Sequence, residues 1–378
     1  MTQQVQNPLT SSRFINMCVS NWFLHLYVYS MIPLLYAQAR EFSANPLLVG
    51  WCVVAFAIGM ILPGPFGAHL MERRSRKQVF LKSLLLTGLL STIGYSVATA
   101  PWMLIVLHGM QGVGFGIAQT ALGTTLVNDV LYSRYRNRGD AYYAWAGRLG
   151  IPLGLLLGYT WMSFLPITDA WWWALVPCAL SFLLVAQTQV PVKAPVKVAL
   201  MTCDRFFLPK SCPLSLTMFA APWMMGRVVG NFPGGWVCLS MAVGALLAFI
   251  IQLMGKHRLS QRIAVALGYL CVVVAWLLIA YPVPATNYLA YILIGGGVGA
   301  VSSRHLLAWL ITADHCQRGT AQSTYMLSWR LAFAFGFLSS AYFAMEHVAF
   351  DLLLSVVSLL LYLLWVSKRE PSAETLSL

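Results

Sequence analysis

The stretch Gly64-Pro65-Phe66-Gly67-Ala68-His69-Leu70-Met71-Glu72-Arg73-Arg74-Ser75-Arg76-Lys77 sets one carboxylate and four bases between two apolar windows, at about 47–70 and 79–99. A cluster this dense does not lie in hydrocarbon, where a charge near a helix centre costs roughly 2.5–3.5 kcal/mol. It reads as a loop joining two membrane spans. The chain around it has 378 residues, 59% hydrophobic and only 9% charged, where soluble domains carry about 25% charge. A water-soluble fold is excluded. At about 20 apolar residues per membrane helix, the length holds about a dozen spans and no sizeable soluble domain.

Apolar windows lie at about 14–38, 47–70, 79–99, 102–128, 141–164, 170–188, 213–231, 234–254, 263–281, 286–312, 320–345 and 349–366. The expectation is twelve transmembrane helices in an all-α polytopic membrane protein. The seventh window is the weakest, shortened by Pro213, Pro222 and Arg227. Met1 to Arg13 lacks the regions of a signal peptide, so the N-terminus is expected to stay untranslocated. The cysteines form no C-x-x-C pair and most fall in apolar runs, which reads as small hydrophobes rather than metal or redox centres.

The formal net charge of +13 would suggest nucleic acid in a soluble protein, but here the positive-inside rule applies first. With the N-terminus inside, the cytoplasmic segments carry Arg13; Arg73, Arg74, Arg76, Lys77 and Lys82; Arg134, Arg136 and Arg138; Lys193, Lys197, Arg205 and Lys210; Lys256, Arg258 and Arg262; Arg318; Lys368 and Arg369. That leaves Arg40 outside and Arg148, Arg227, Arg304 and Arg330 within helices. The alternation requires the weak seventh span and puts both termini in the cytoplasm. The excess charge is therefore a topology signal, and nucleic-acid binding is not expected.

A proline-bearing basic segment, about Pro191 to Lys210, divides six spans from six. The expected organisation is an N-terminal bundle over 1–190, a cytoplasmic linker over 191–212 and a C-terminal bundle over 213–378. Arg138-Gly139-x-Ala141 recurs as Arg318-Gly319-x-Ala321. Tyr143, Arg148, Leu149 and Gly154 recur as Tyr325, Arg330, Leu331 and Gly336, and Gly112-Val113-Gly114 as Gly297-Val298-Gly299. Similar offsets in register with the span order point to a parallel repeat.

The Gly64–Lys77 stretch resembles the loop between spans two and three of the major facilitator superfamily, with Glu72 for the usual aspartate, Ser75 for a glycine and Gly67 one place early. His108-Gly109-Met110-Gln111-Gly112-Val113-Gly114 is similar to the family's fourth-span signature, with His108 in place of its arginine. Gly147-Arg148-Leu149-Gly150-Ile151-Pro152-Leu153-Gly154 resembles the signature of its exporters, off by one in spacing. The resemblance implies two pseudo-symmetric six-helix bundles around a central cavity lined by spans one, four, seven and ten, with five and eleven at the interface. It also implies a cytoplasmic latch of Gly67, Glu72, Arg73 and Arg76, with Glu72 capping the eleventh span at Gly319 to Gln322.

Intramembrane charges are rare, and Arg148, Arg304 and Arg330 lie at similar depths, with no comparably deep Asp or Glu. Together they are expected to form a basic girdle favouring anionic or carbonyl-rich cargo. The competing reading is structural, with the arginines pairing to Asp129 or Asp314 at the rim or to helix carbonyls. Arg227 is expected to snorkel to the headgroups. Asn21, His25 and Tyr29 share one face of the first span, and His108, Gln111, Phe115 and Gln119 one face of the fourth. Trp329 is a candidate to stack on a ligand.

The expected function is a secondary transporter of the cell membrane, moving a small organic, anionic or amphipathic solute by alternating access, with export favoured. Uptake of a sugar or organic acid and polyspecific drug export are alternatives within the class. Outside it stand a lipid-modifying enzyme, for which no clustered acid, base or metal-ligand motif exists, and a non-transporting receptor. No cofactor or metal is expected; protons or a counter-anion are candidate coupling partners, and the chain is expected to be a monomer in the bilayer. A proton-driven cycle would have to use His108, His25, His305, or Glu72 with Asp129.

Overall fold

The computed structural model describes residues 8–43, 45–191, 197–203, 205–254, 260–281, 286–314, 317–343 and 348–366, and among these no strand occurs. Lys193, Lys256, Arg258, Lys368 and Arg369 of the basic segments lie outside the described residues.

Helix α1 (Ser12–Phe42) starts where the Ser11 hydroxyl accepts the Phe14 N–H, an N-cap that satisfies one orphan donor. Helices α2 (Leu47–Ile61) and α3 (Gly64–Arg73) meet at a 48° bend. Pro63 and Pro65 flank that bend and cannot donate to a continuous helix. Ser75 then opens α4 (Arg76–Leu89), which widens into π turns over Leu90–Gly94. α5 (Pro101–Thr120) widens likewise over Ala121–Leu126 before the short α6 (Val127–Asp129). α7 (Arg136–Phe164) and α8 (Ile167–Gln187) follow. Beyond the linker, α9 (Cys212–Met218) and α10 (Ala220–Gly230) part at Phe219, because Pro222 has no N–H to give the preceding turn. α11 (Gly235–Met254), α12 (Gln261–Ala280), α13 (Asn287–Thr312), α14 (Arg318–Ser339) and α15 (Val348–Leu361) complete the chain.

Among the described residues, five stretches are long and apolar enough to cross a membrane on their own: Ser12–Phe42, Pro101–Asp129, Ile167–Gln187, Gly235–Met254 and Gln261–Ala280. The bent α2–α3 pair makes a sixth. The other windows are also helical, yet do not stand out by length and composition. α7 and α14 carry Arg148 and Arg330 and many small or polar residues, α4 and α15 have 14 residues each, and α9–α10 is broken.

Glycines decide which helices pack backbone to backbone. A methyl on Gly150, Gly154 or Gly158 of α7 would overlap the carbonyls of Trp22, Leu26 or Ser30 on α1. On α10 and α14, Gly226 and Gly336 abut the carbonyls of Phe333 and Trp223 in the same way. The α2–α5 seam repeats the device with Gly59 and Gly112, and the α11–α13 seam with Gly244 and Gly295. Such close approach gives strong dispersion contact in a medium that offers no hydrophobic drive between helices. The α1–α7 seam is thus echoed by α10–α14, and α2–α5 by α11–α13.

The linker straps two of these helices. Thr202 N–H donates to the Pro65 carbonyl at 2.9 Å, His69 Nδ1 lies 3.2 Å from the Val198 carbonyl, and the Phe206 ring covers Gly64. Further on, Leu208 N–H donates to Thr324 Oγ1 of α14 at 2.9 Å.

Candidate functional site

A small cavity of about 40 Å³ lies where α1, α5, α7 and α14 converge, lined among others by Asn21, His25, Gln119, Arg148, Trp329 and Arg330. Space for a water needs roughly 10–15 Å³ on this measure, so in this conformation the cavity admits little more than solvent. Contacts between helices bridge it on either side. Toward the C-terminal end of α1, Tyr36 and Phe232 stack with ring centroids 3.6 Å apart. At the opposite end, Arg318 donates to Asn137 Oδ1 at 3.2 Å.

The two arginines are held differently. Arg148 Nη2 donates to the Ser302 carbonyl at 3.0 Å and to the Tyr325 hydroxyl at 2.7 Å, with its guanidinium 5.4 Å from the Trp145 ring. Its Nη1 is buried with no hydrogen-bond partner among the described residues. Arg330 donates to the Tyr29 hydroxyl and lies over the rings of Tyr29, Phe115 and Trp329 at 4.9, 5.1 and 5.5 Å. Cation–π contact of this kind stabilises a desolvated guanidinium without neutralising it. Among the described residues, no Asp or Glu lines the cavity. An unpartnered, water-excluded donor on a cation is a position where an anion's oxygen would be bound strongly.

The polar stripes expected on α1 and α5 divide between two settings. Asn21 donates to the Tyr143 carbonyl at 2.8 Å, and Gln119 donates to Asn21 Oδ1 and the Tyr143 hydroxyl at 3.3 and 3.1 Å. His25 lines the cavity with Nδ1 2.8 Å from the Asn21 carbonyl, and its ring meets Phe115 edge-on at 5.8 Å. His108 and Gln111 sit in a neighbouring buried network, where the Tyr95 hydroxyl is 2.7 Å from His108 Nδ1 and bonds Gln111, which reaches Ser91 at 2.9 Å. That network ties α1, α5 and the turns after α4, since Gln111 also donates to the Tyr27 hydroxyl at 3.3 Å, and a second, smaller void joins His108 to Tyr29 and Arg330.

Three expectations meet a different geometry. Arg304 does not join the other two arginines: it lines a separate groove between α11, α12 and α13. Two residues along a helix is about 200°, so the carbonyl-to-arginine bond at Ser302 and the Arg304 side chain face opposite ways. Glu72 bonds Arg76 at 2.8 Å, and Arg76 bonds Asp129 at 2.8 Å, so among the described residues the carboxylate serves its own loop instead of the start of α14. The i,i+4 arginine across the α3–α4 bend is simply nearer. Of the other latch residues, Gly67 faces Thr120 and Gly319 faces Thr124, Arg73 is exposed, and Gln322 is buried with neither amide atom bonded among the described residues. Arg227 does not snorkel. It is 1% exposed and pairs with Asp351 at 3.0 Å, while its Nη1 donates to the Ser339 and Phe343 carbonyls.

Tyr325, Tyr143 and Ser302 are site residues that polarity stripes do not single out. For the two tyrosines the internal repeat held the signal, because it matches Tyr143 with Tyr325 as well as Arg148 with Arg330. Asp140, ahead of the apolar stretch of α7, is buried with Oδ1 unpartnered among the described residues. Desolvation pushes its carboxyl up to about 7 against the lowering influence of Arg136 and Arg318.

The family profile of the Major Facilitator Superfamily matches residues 17–337. Among solved structures, the crystal structure of the human organic anion transporter MFSD10 (TETRAN) is similar with a TM-score of 0.66 at 18% identity, covering 97% of this chain and 99% of that one. Among curated proteins no sequence matches.

Proposed function

The chain belongs to the major facilitator superfamily, whose members are membrane transporters, and from that premise we propose a twelve-span carrier of small organic anions working by alternating access. Residues 1–190 and 213–378 form the two bundles in this reading, joined by 191–212, with both termini cytoplasmic and the protein in the cell membrane. The spans are α1, α2–α3, α4, α5–α6, α7, α8, α9–α10, α11, α12, α13, α14 and α15. The basic segments support the orientation, and the repeated glycine seams support the division.

The observation that carries the cargo assignment is the buried, unpartnered Nη1 of Arg148 in a cavity without carboxylates. The fold neighbour's description as an organic anion transporter agrees with it, although at 18% identity the likeness bears on fold alone. Arg148 and Arg330 are proposed to receive the anion, with Asn21, His25, Gln119 and Trp329 shaping its apolar and polar remainder. Because the cavity in this conformation is solvent-sized, cargo enters only when one end opens. The Gly147–Gly154 signature supports export. Coupling is assigned to protons or a counter-anion.

The test is a thermal-shift screen of the purified protein with carboxylates and their matched carboxamides, since binding to the folded state raises apparent stability. Carboxylates should stabilise more than their amides, and Arg148→Gln should remove the difference. A charge-assisted hydrogen bond contributes about 1.5–3 kcal/mol, so affinity should fall on the order of tenfold to a hundredfold. Preferred stabilisation by lipophilic cations would sink the assignment.

A further inference from the structure

The groove that takes Arg304 has a volume of about 340 Å³, far larger than the central cavity and within the roughly 300–1,000 Å³ of small-molecule sites. α11 and α12 form its walls and α13 its floor. The walls are Leu247, Ala248 and Ile251 on one side and Leu267 and Cys271 on the other. Leu247, Ile251 and Leu267 are 47%, 58% and 47% exposed, and only a third of the most apolar window of either wall helix is buried. These are lipid-facing surfaces, so the groove opens sideways into the bilayer.

One end of the groove is polar. Arg304, Ser303 and Gln252 line it, and among the described residues none of the lining is acidic. The level of that end follows from a hydrogen bond: Gln261, the first residue of α12, donates from Nε2 to the Arg304 carbonyl at 3.1 Å. Arg304 therefore stands at the membrane-boundary end of α12, about two turns before α13 itself ends at Thr312. Gln252, two residues from the end of α11, accepts the Trp145 indole N–H on its side-chain Oε1 at 3.0 Å, which leaves its amide nitrogen as the donor on the groove. Arg262 lies exposed on the same first turn of α12.

We infer that this groove is a binding site for an anionic phospholipid, one acyl chain lying between α11 and α12 and the phosphate meeting Arg304 and Gln252. Its polar end is on the face that the basic segments assign to the cytoplasm. Basic pockets between spans on that face are suited to anionic headgroups, and the apolar length below Arg304 distinguishes a lipid from a free phosphate.

Native mass spectrometry of the full-length protein in detergent, titrated with dioleoyl phosphatidylglycerol or dioleoyl phosphatidylcholine, tests the site without reference to transport. The wild type should retain one phosphatidylglycerol at lower concentration than phosphatidylcholine. Arg304→Gln should weaken phosphatidylglycerol by about tenfold and leave phosphatidylcholine unchanged, with Arg304→Lys between. Ala300→Phe, which fills the floor, should weaken both lipids. Equal retention of the two lipids by the wild type, or unchanged phosphatidylglycerol retention in Arg304→Gln, overturns the inference. Should Arg304→Gln not fold, Ala300→Phe decides alone: lipid retention equal to wild type overturns the site.

Discussion

Replacing Asp351 by Asn leaves a guanidinium shut inside the membrane without its counter-charge. In the wild type Arg227 gives Nε and Nη2 to the Asp351 carboxylate at 3.2 and 3.0 Å, and Trp223 Nε1 donates to the other oxygen at 2.9 Å. Both charged side chains are 2% exposed. Breaking a buried pair by removing one member costs about 3–5 kcal/mol. The two carbonyl acceptors on Nη1, at Ser339 and Phe343, survive the substitution, which places Asp351→Asn near the lower end, at about 3 kcal/mol. Arg227→Met should cost a similar amount, since it leaves Asp351 with Trp223 alone and frees those two carbonyls. The double variant Arg227→Met with Asp351→Leu removes both charges and fills the space, an exchange that is often neutral in cores. The four proteins form a cycle whose coupling should exceed about 2 kcal/mol, read by equilibrium unfolding in mixed micelles of one composition. If Asp351→Asn lies within about 0.5 kcal/mol of wild type, or the two single losses simply add in the double variant, the pair does not hold α10, α14 and α15 as argued.

Gly154→Val should destabilise the α1–α7 seam by at least 1–3 kcal/mol, roughly the cost of overpacking, with a lower melting point than Gly235→Val, whose neighbours are side-chain atoms. For Asp140, a carboxyl raised to about 7 in the folded protein binds its proton more tightly there than in the unfolded chain. Stability should therefore fall as pH rises from about 4 to 7, and Asp140→Asn should flatten that part of a melting-temperature profile; an unchanged slope would acquit the residue. His108→Gln keeps a hydrogen-bonding partner for Tyr95 while removing the titratable ring, so if wild-type transport into vesicles is driven by an imposed pH gradient, that drive should be lost in the variant. Full coupling in that variant would exclude His108 from proton transfer.

Much of the fold is legible in the chain before any coordinates, because charge excluded from hydrocarbon marks loops and Gly150, Gly154 and Gly158 announce a seam. The site is only partly legible. Arg148 and Arg330 recur at one repeat offset and do meet at one cavity with His25 and Gln119. Arg304 shows why depth alone misleads: α13 carries polar groups around its circumference, and spacing does not tell which side faces α7 and which the bilayer. Asp351 misleads in the opposite sense, since a place near a helix end suggests water while Arg227 and Trp223 from α10 enclose it. Glu72 is identifiable as a loop carboxylate, but its partner depends on the competition between Arg76 four residues away and a distant helix terminus.

The glycine contacts also say where this molecule is able to slide. At Gly59, Gly112, Gly154, Gly226, Gly244, Gly295 and Gly336 the closest neighbour is a backbone atom of another helix in the same proposed bundle. Across the proposed divide the closest neighbours are side chains: Leu338 at Gly50, Leu156 at Gly235, Trp145 at Gly299 and Thr124 at Gly319. A joint made of main-chain atoms has one register and parts only by shearing, whereas a joint made of rotatable groups re-forms after a small displacement. The first kind behaves as a weld and the second as a bearing, so friction during a transport cycle should be tuned at Leu338, Leu156, Trp145 and Thr124, whose bulk sets how freely one half turns against the other.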